Sequence, residues 1–379
     1  LVLLALQRTG SATVGGLLVA AFVFPHVIAA PWAGLTIDRA AHPHRILAAA
    51  ACCFATALGL TALLIGHVVL GAVFAILVLG GCCGPVITGS VTSQLPALVE
   101  PPRLPRAFAL DALTYNIAGI LGPTLGAIIA GIFSPVAALL SLAASAAIGG
   151  AVQATLPLGG RVIHPAGDGA HLANIVKVFK QRVLGLVTAA SSMGQVGASS
   201  LPVFAAILAT RHHHSAAAGY LMAAYAAGGL TGALGWTLRP ARPRVAPYVV
   251  MVALIASGVP LAIAASVHQL ATTAVFFAIS GAFIGPMLGA LFTSRQDEAP
   301  PQLRAQVFAV GAGVKTTAGA CGAALAGLLA HLATSRQLLI AAAWPLAAGC
   351  LGLVVLLVPH ARARRASGDS LDPSLDAVG

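Results

Sequence analysis

Long apolar runs separated by short polar stretches set the rhythm of this chain. A helix needs roughly 20 predominantly apolar residues to cross a bilayer. Eleven segments reach that length: 14–36, 46–66, 69–95, 106–132, 135–156, 183–209, 216–238, 246–266, 269–293, 305–331 and 337–358. An apolar stub, Leu1 to Leu6, precedes them and is too short to span. The longest polar stretch, 157–182, carries Arg161, Lys177, Lys180 and Arg182 and reads as a linker. Residues 359–379 read as a polar, disordered tail. The pattern predicts an all-α polytopic membrane protein.

The pattern also repeats. Gly80-x₃-Gly84-Pro85, Thr92-Ser93 and Pro101-Pro102 return as Gly281-x₃-Gly285-Pro286, Thr293-Ser294 and Pro300-Pro301. Gly16 to Phe22 matches Gly219 to Tyr225, and Ala118-Gly119-x₂-Gly122 matches Ala318-Gly319-x₂-Gly322. Self-similarity at a long period means two copies of one structural unit. The expected units are 1–156 and 183–358, joined by 157–182. The second copy opens with a whole helix, 183–209, where the first has only residues 1–8. The reading is a six-plus-six architecture in which most of the first helix is missing.

Composition supports the membrane reading. Hydrophobic residues make up 59% of the chain and charged residues 8%, against roughly 25% charged in soluble domains. No charged region precedes the first apolar run, so no cleavable signal peptide is expected. The formal net charge of +11 raises nucleic acid as a partner, but the placement of the charges excludes it. Loops 37–45, 96–105, 157–182, 239–245 and 294–304 and the tail, with Arg106 at a helix start, hold 16 of the 20 Lys and Arg. Only Arg8, Arg211 and Arg336 fall on the opposite side, and Lys315 lies within a segment. By the positive-inside rule the basic side is cytoplasmic. The expected location is the plasma (inner) membrane, multi-pass, with the C-terminus in the cytoplasm.

Two motifs carry a family resemblance. Gly34, Asp38 and Arg39 stand in Gly34-Leu35-Thr36-Ile37-Asp38-Arg39-Ala40-Ala41-His42-Pro43-His44-Arg45. The stretch resembles the loop between helices 2 and 3 of the major facilitator superfamily, G-x-x-x-D-R-x-G-R-K. Ala41 replaces the family glycine and His42-Pro43 the basic pair. Such a loop makes a tight turn, and its charges latch two bundles in one state of a rocking cycle. Gly122, Pro123 and Gly126, in Ala118-Gly119-Ile120-Leu121-Gly122-Pro123-Thr124-Leu125-Gly126-Ala127, are similar to the G-x-x-x-G-P-x-x-G-G motif of family exporters, chiefly drug–proton antiporters. Its glycines are expected to let helices approach closely. The resemblance implies two bundles of six helices and a secondary transporter exporting small amphiphilic molecules by alternating access, with protons as a candidate coupling ion. Helix 4 lacks the arginine of many proton-coupled exporters, since Phe74 to Pro85 contains none. A metabolite or sugar carrier of the same superfamily, or a non-functional truncated transporter, is the alternative.

Ionisable groups at membrane depth are functional candidates. His26 lies halfway along 14–36 and Lys315 ten residues into 305–331. The resemblance places these helices face to face between the bundles, so both residues are candidates for the pathway. His26 otherwise rests neutral and hydrogen-bonded within its bundle, and Lys315 otherwise snorkels. If Lys315 serves function, an acid in the missing helix pairs with it, or it faces a wet cavity and attracts anionic or polar substrate groups. Asp111 is expected at the interface near Arg103 or Arg106. Tyr115, Asn116, Gln195 and Gln94 either line the path or bond neighbouring helices. Asp38 is expected to cap or pair near the start of helix 305–331, or within its own bundle.

No metal or cofactor is expected. Cys52, Cys53, Cys82, Cys83, Cys321 and Cys350 have no metal-ligand spacing and read as small packing residues. His212-His213-His214 cannot converge as a helix-spaced pair would. No phosphate-binding loop of the G-x-x-x-x-G-K-[ST] type occurs, and no catalytic cluster gathers at one depth, so an enzyme is not expected. The remaining partners are a small-molecule substrate and the bilayer, with the protein acting as a monomer.

Overall fold

The computed structural model describes residues 1–158, 172–211, 217–267, 269–329 and 331–368. Helix covers every one of the eleven apolar segments. The first half contains α1 (Val2–Thr9), α2 (Ala12–Asp38), α3 (Pro43–Leu64), α4 (Leu70–Thr88), the short α5 (Ser90–Ser93) and α6 (Leu95–Leu98), α7 (Leu104–Ile132) and α8 (Pro135–Ala154). After α9 (Leu172–Phe179), the second half contains α10 (Arg182–Arg211), α11 (Ala217–Leu238), α12 (Ala246–Ala264), α13 (Leu270–Ala282), α14 (Ile284–Glu298), α15 (Arg304–Leu328) and α16 (Thr334–Gly368). Among the described residues, seven helices are long and apolar enough to cross a membrane, or eight if the bent α2 is one span. Their outward faces carry large apolar side chains such as Leu63, Leu79, Ile148 and Val152 in the open, as hydrocarbon solvent permits and water does not.

Proline shapes the helices that matter. Pro25 and Pro31 lie inside α2, and each removes one backbone donor. The helix bends by 42° between Leu17–His26 and Ile28–Asp38. Pro286 likewise withdraws the bond to Ala282, and the helix breaks there at Phe283, between α13 and α14.

The repeat is structural as well as sequential. α2 packs on α4 as α11 packs on α13, and α3 packs on α8 as α12 packs on α16. The matched Phe22 and Tyr225 each meet a glycine of the partner helix, one position apart in register: a Cβ added to Gly81 would lie 3.1 Å from the Phe22 carbonyl carbon, and one added to Gly281, the mate of Gly80, would lie 2.9 Å from that of Tyr225. Between the halves, α2 meets α15 and α7 meets α11 and α14.

Several boundaries differ from expectation. The segment 269–293 continues as helix to Glu298, so Arg295 belongs to α14 and not to a loop. The linker is not wholly irregular: α9 packs Val178 against Leu184, Ala299 and Val307. The tail begins as helix, because α16 runs on to Gly368; 369–379 lie outside the described residues, as do His212, His213 and His214. Five of the six cysteines are exposed on helix surfaces, and Cys83 is half-buried.

Candidate functional site: a cationic cavity between the halves

Asp38 is the last residue of α2. Its Oδ1 accepts from the Ala305 backbone N–H at 3.0 Å and its Oδ2 from that of Gln306 at 2.9 Å. These are the second and third residues of α15, whose own N-cap, Leu303, offers no side-chain bond. An N-cap side chain ordinarily serves those N–H groups; here a carboxylate from the other half does so, at the positive end of the helix dipole. The Gln306 amide adds a bond to the Pro31 carbonyl at 3.0 Å. Gly34 is helical and makes no turn. It permits the crossing, since a Cβ there would lie 2.5 Å from the Gln306 nitrogen. Arg39 caps α2 through its backbone and is exposed.

One turn further along α15 the seal becomes apolar. Phe108 of α7 stacks on Phe308 with ring centroids 6.4 Å apart, and Phe292 of α14 lies 5.9 Å from Phe308. Phe108 and Phe308 are almost fully buried. Gly89 lets the other wall close, where a Cβ would lie 2.7 Å from the Ala309 Cα.

Beyond this floor lies a cavity of about 550 Å³ between the halves. Phe22 and His26 of α2 contribute to it, with Tyr115 of α7, Gln195 and Ser199 of α10, Arg295 of α14, and Lys315 and Thr316 of α15. His26 sits at the bend of α2, and its Nδ1 lies 3.2 Å from the Phe22 carbonyl. Its ring occupies the space a side chain at Gly84 would take. Gln195 donates to Ser199 Oγ at 2.9 Å, and the Tyr115 hydroxyl donates to the Thr88 carbonyl. Lys315 also borders a smaller cavity of about 50 Å³ that Gln195, Tyr225, Ser257 and Ser280 help to line.

Other expected site residues lie elsewhere. Asn116 is one position on from Tyr115, about 100° around the helix, and turns away from the cavity. Its Nδ2 donates to the Ala112 carbonyl at 2.7 Å, and its Oδ1 faces Gly229. Asp111 does not pair with Arg103 or Arg106. Its Oδ2 accepts from Thr92 Oγ1 at 2.7 Å, while Arg103 lies 4.0 Å from Glu100. Gly119, Gly122 and Gly126 do not mediate close approach, since a Cβ at any of them would meet no described atom within 4 Å. Their repeat-mates do: a Cβ at Gly319 would lie 2.9 Å from Ser199 Oγ, and one at Gly322 would lie 2.8 Å from the Val196 carbonyl carbon. The difference is α10, which packs on α15 and has no counterpart against α7 among the described residues. The Pro123 side chain lies outside the described residues.

The residue that sequence reasoning misplaced is Arg295. It is 2% exposed, and its Nε and Nη2 have no hydrogen-bond partner among the described residues. Its guanidinium lies over Gly311, where a Cβ would be 2.5 Å from Cζ. The repeat held a signal for it, because Gln94, the polar residue after Thr92-Ser93, aligns with Arg295 after Thr293-Ser294 and is likewise buried.

Two packed halves, a cavity between them and apolar outer faces define a helical membrane protein of the carrier type. The family model of the Major Facilitator Superfamily matches residues 1–323. The chain is 30% identical over 342 residues to the uncharacterized MFS-type transporter y4rN of Sinorhizobium fredii (strain NBRC 101917 / NGR234), covering 87% of this chain and 83% of that one. Among solved structures, a bacterial homologue of the iron transporter ferroportin in its outward-facing state matches with TM-score 0.72 and 18% identity, over 96% of this chain and 94% of that one. The human organic anion transporter MFSD10 (TETRAN) matches with TM-score 0.72 and 18% identity, over 90% and 84%. The proton:xylose symporter XylE matches with TM-score 0.68 and 13% identity, over 95% and 89%. The chain belongs to the Major Facilitator Superfamily and is a multi-pass membrane transporter of that family.

Proposed function

We propose that this chain exports small amphiphilic molecules across the inner membrane by alternating access, with units 1–156 and 183–358 rocking about the central cavity. The observation that carries this reading is the junction at Asp38. A carboxylate of one half caps a helix of the other, and an aromatic seal and then a cavity lie directly behind it. The basic loops put that junction on the cytoplasmic side, so the conformation is one closed to the cytoplasm. Charge-assisted bonds of this kind contribute roughly 1.5–3 kcal/mol each, enough to bias a two-state equilibrium between closed and open ends. Energy comes from an ion or substrate gradient, with protons the first candidate. His26 is the titratable group at the bend of α2, where proton uptake would act on the moving element.

The glycine face of α7 meets no neighbour among the described residues. Its repeat-mate on α15 is covered by α10, so a helix equivalent to α10 is the natural occupant of the α7 face. The protein works as a monomer in this reading.

The test is transport in proteoliposomes of known orientation, with a panel of amphiphilic solutes and an imposed proton gradient. Solute movement from the Asp38 side to the opposite side, driven by a proton gradient of opposed direction, is the expected result. Uptake in the reverse direction would favour a metabolite or sugar carrier. Absence of movement for every solute would refute the transport reading of this chain.

A further inference from the structure

The cavity carries charge that a generic amphiphile does not explain. It holds two cationic side chains from different helices, Arg295 of α14 and Lys315 of α15. Neither makes an ion pair with a carboxylate among the described residues. Asp111 accepts from Thr92, which lines the cavity, and is engaged there. The rest of the lining is largely apolar, with Phe22, Phe54, Leu288 and Phe292.

We propose that the cavity is a binding site for an amphiphilic oxyanion, with a carboxylate or sulfonate held by Arg295 and Lys315 and an apolar body against the phenylalanines. This inference rests on the transport reading for its consequence but not for its test. An unpaired cation in a low-dielectric interior is costly, and a buried charge is ordinarily retained with a counter-ion. Arg295 is buried, and its Nε and Nη2 both lack a partner among the described residues. Those two nitrogens form one edge of the guanidinium, the edge that grips a carboxylate with two parallel bonds. Gly311 makes room for the guanidinium, and Lys315 follows it by four residues, one turn along the same face of α15. The two cations therefore approach the cavity from adjacent levels. An anion between them neutralises both, and it bridges α14 to α15. The other polar residues of the wall, His26, Tyr115, Gln195, Ser199 and Thr316 among them, carry no fixed negative charge to oppose an anion.

The experiment measures binding to the purified full chain in detergent micelles, with 1-naphthoate, the uncharged 1-naphthamide and the cationic 1-naphthylmethylammonium as probes. Naphthoate is expected to bind at least about tenfold tighter than the other two, the factor set by a charge-assisted bidentate contact. Arg295→Gln and Lys315→Gln should each remove most of that preference, because affinity for naphthoate falls by much more than affinity for the amide. Arg295→Lys should restore part of it, since charge returns without the two-bond edge. Retained amide binding by a monodisperse variant shows that its cavity is intact; should Arg295→Gln misfold, Lys315→Gln and Arg295→Lys carry the comparison. The proposal is overturned if the cation or the amide binds as tightly as naphthoate, if naphthoate does not bind, or if its preference survives both glutamine variants. Transport of the cation without anion binding would overturn this inference and leave the transport reading standing. Arg295-dependent naphthoate binding without transport would do the reverse.

Discussion

Asp38 serves the N–H groups of Ala305 and Gln306, 267 and 268 residues away in the sequence. Replacing it with Asn keeps one acceptor oxygen and removes the charge. The expected loss is one charge-assisted bond, roughly 1.5–3 kcal/mol, or about a ten- to hundredfold shift in the population closed at this end. Transport by Asp38→Asn should fall by about that factor, with membrane insertion intact by protease protection; normal transport would remove the latch from the account. A second residue pair is testable by a double-mutant cycle. A methyl group at Gly84 must displace the His26 ring, so Gly84→Ala should destabilise the protein and His26→Ala should recover much of the loss. Additive effects on the melting temperature would show that the two do not press on one another. Asp38, His26 and Lys315 were legible in the sequence because a charged or titratable side chain within or beside an apolar run stands out. Arg295 was not: Gln296, Asp297 and Glu298 follow it, and a polar run reads as a loop even when the helix continues through it.

At the scale of elements, glycine positions decide which helices touch. Gly322 holds α15 against α10, whereas Gly122, its repeat-mate, faces no described neighbour. Sequence pattern could not separate the two, since a small-residue motif shows that close approach is allowed and not that a partner is present. Gly322→Leu should therefore lower the apparent melting temperature by several degrees, given overpacking costs of about 1–3 kcal/mol. Gly122→Leu should leave it nearly unchanged in this chain. Equal effects would contradict the contact pattern. Gly34→Val separates α2 from α15 in the same way, and should favour the state open at the Asp38 end without altering either helix.

For the whole molecule, the helical segments were readable because lipid imposes length and apolarity on each span, and the repeated motifs fall on helices that pack in parallel pairs, α2 on α4 as α11 on α13. The sequence left open whether Asp38 reaches helix 305–331 or pairs within its own bundle, since that depends on contacts between copies and not within them. The structure puts those contacts at Asp38, Gly34 and the Phe108–Phe308 stack, with the cavity behind them. The most direct test of alternating access about this cavity is a pair of spin-label distance measurements across the two ends, in a variant lacking the six cysteines. Labels at Ala41 and Gln302 report on the Asp38 end, and labels at His67 and Ser266, all four exposed positions, report on the other. The account predicts one short-distance population at the Asp38 end in the parent. In Asp38→Asn a longer population should appear there while the His67–Ser266 distance shortens. Unchanged distances at both ends, or lengthening at both together, would contradict it.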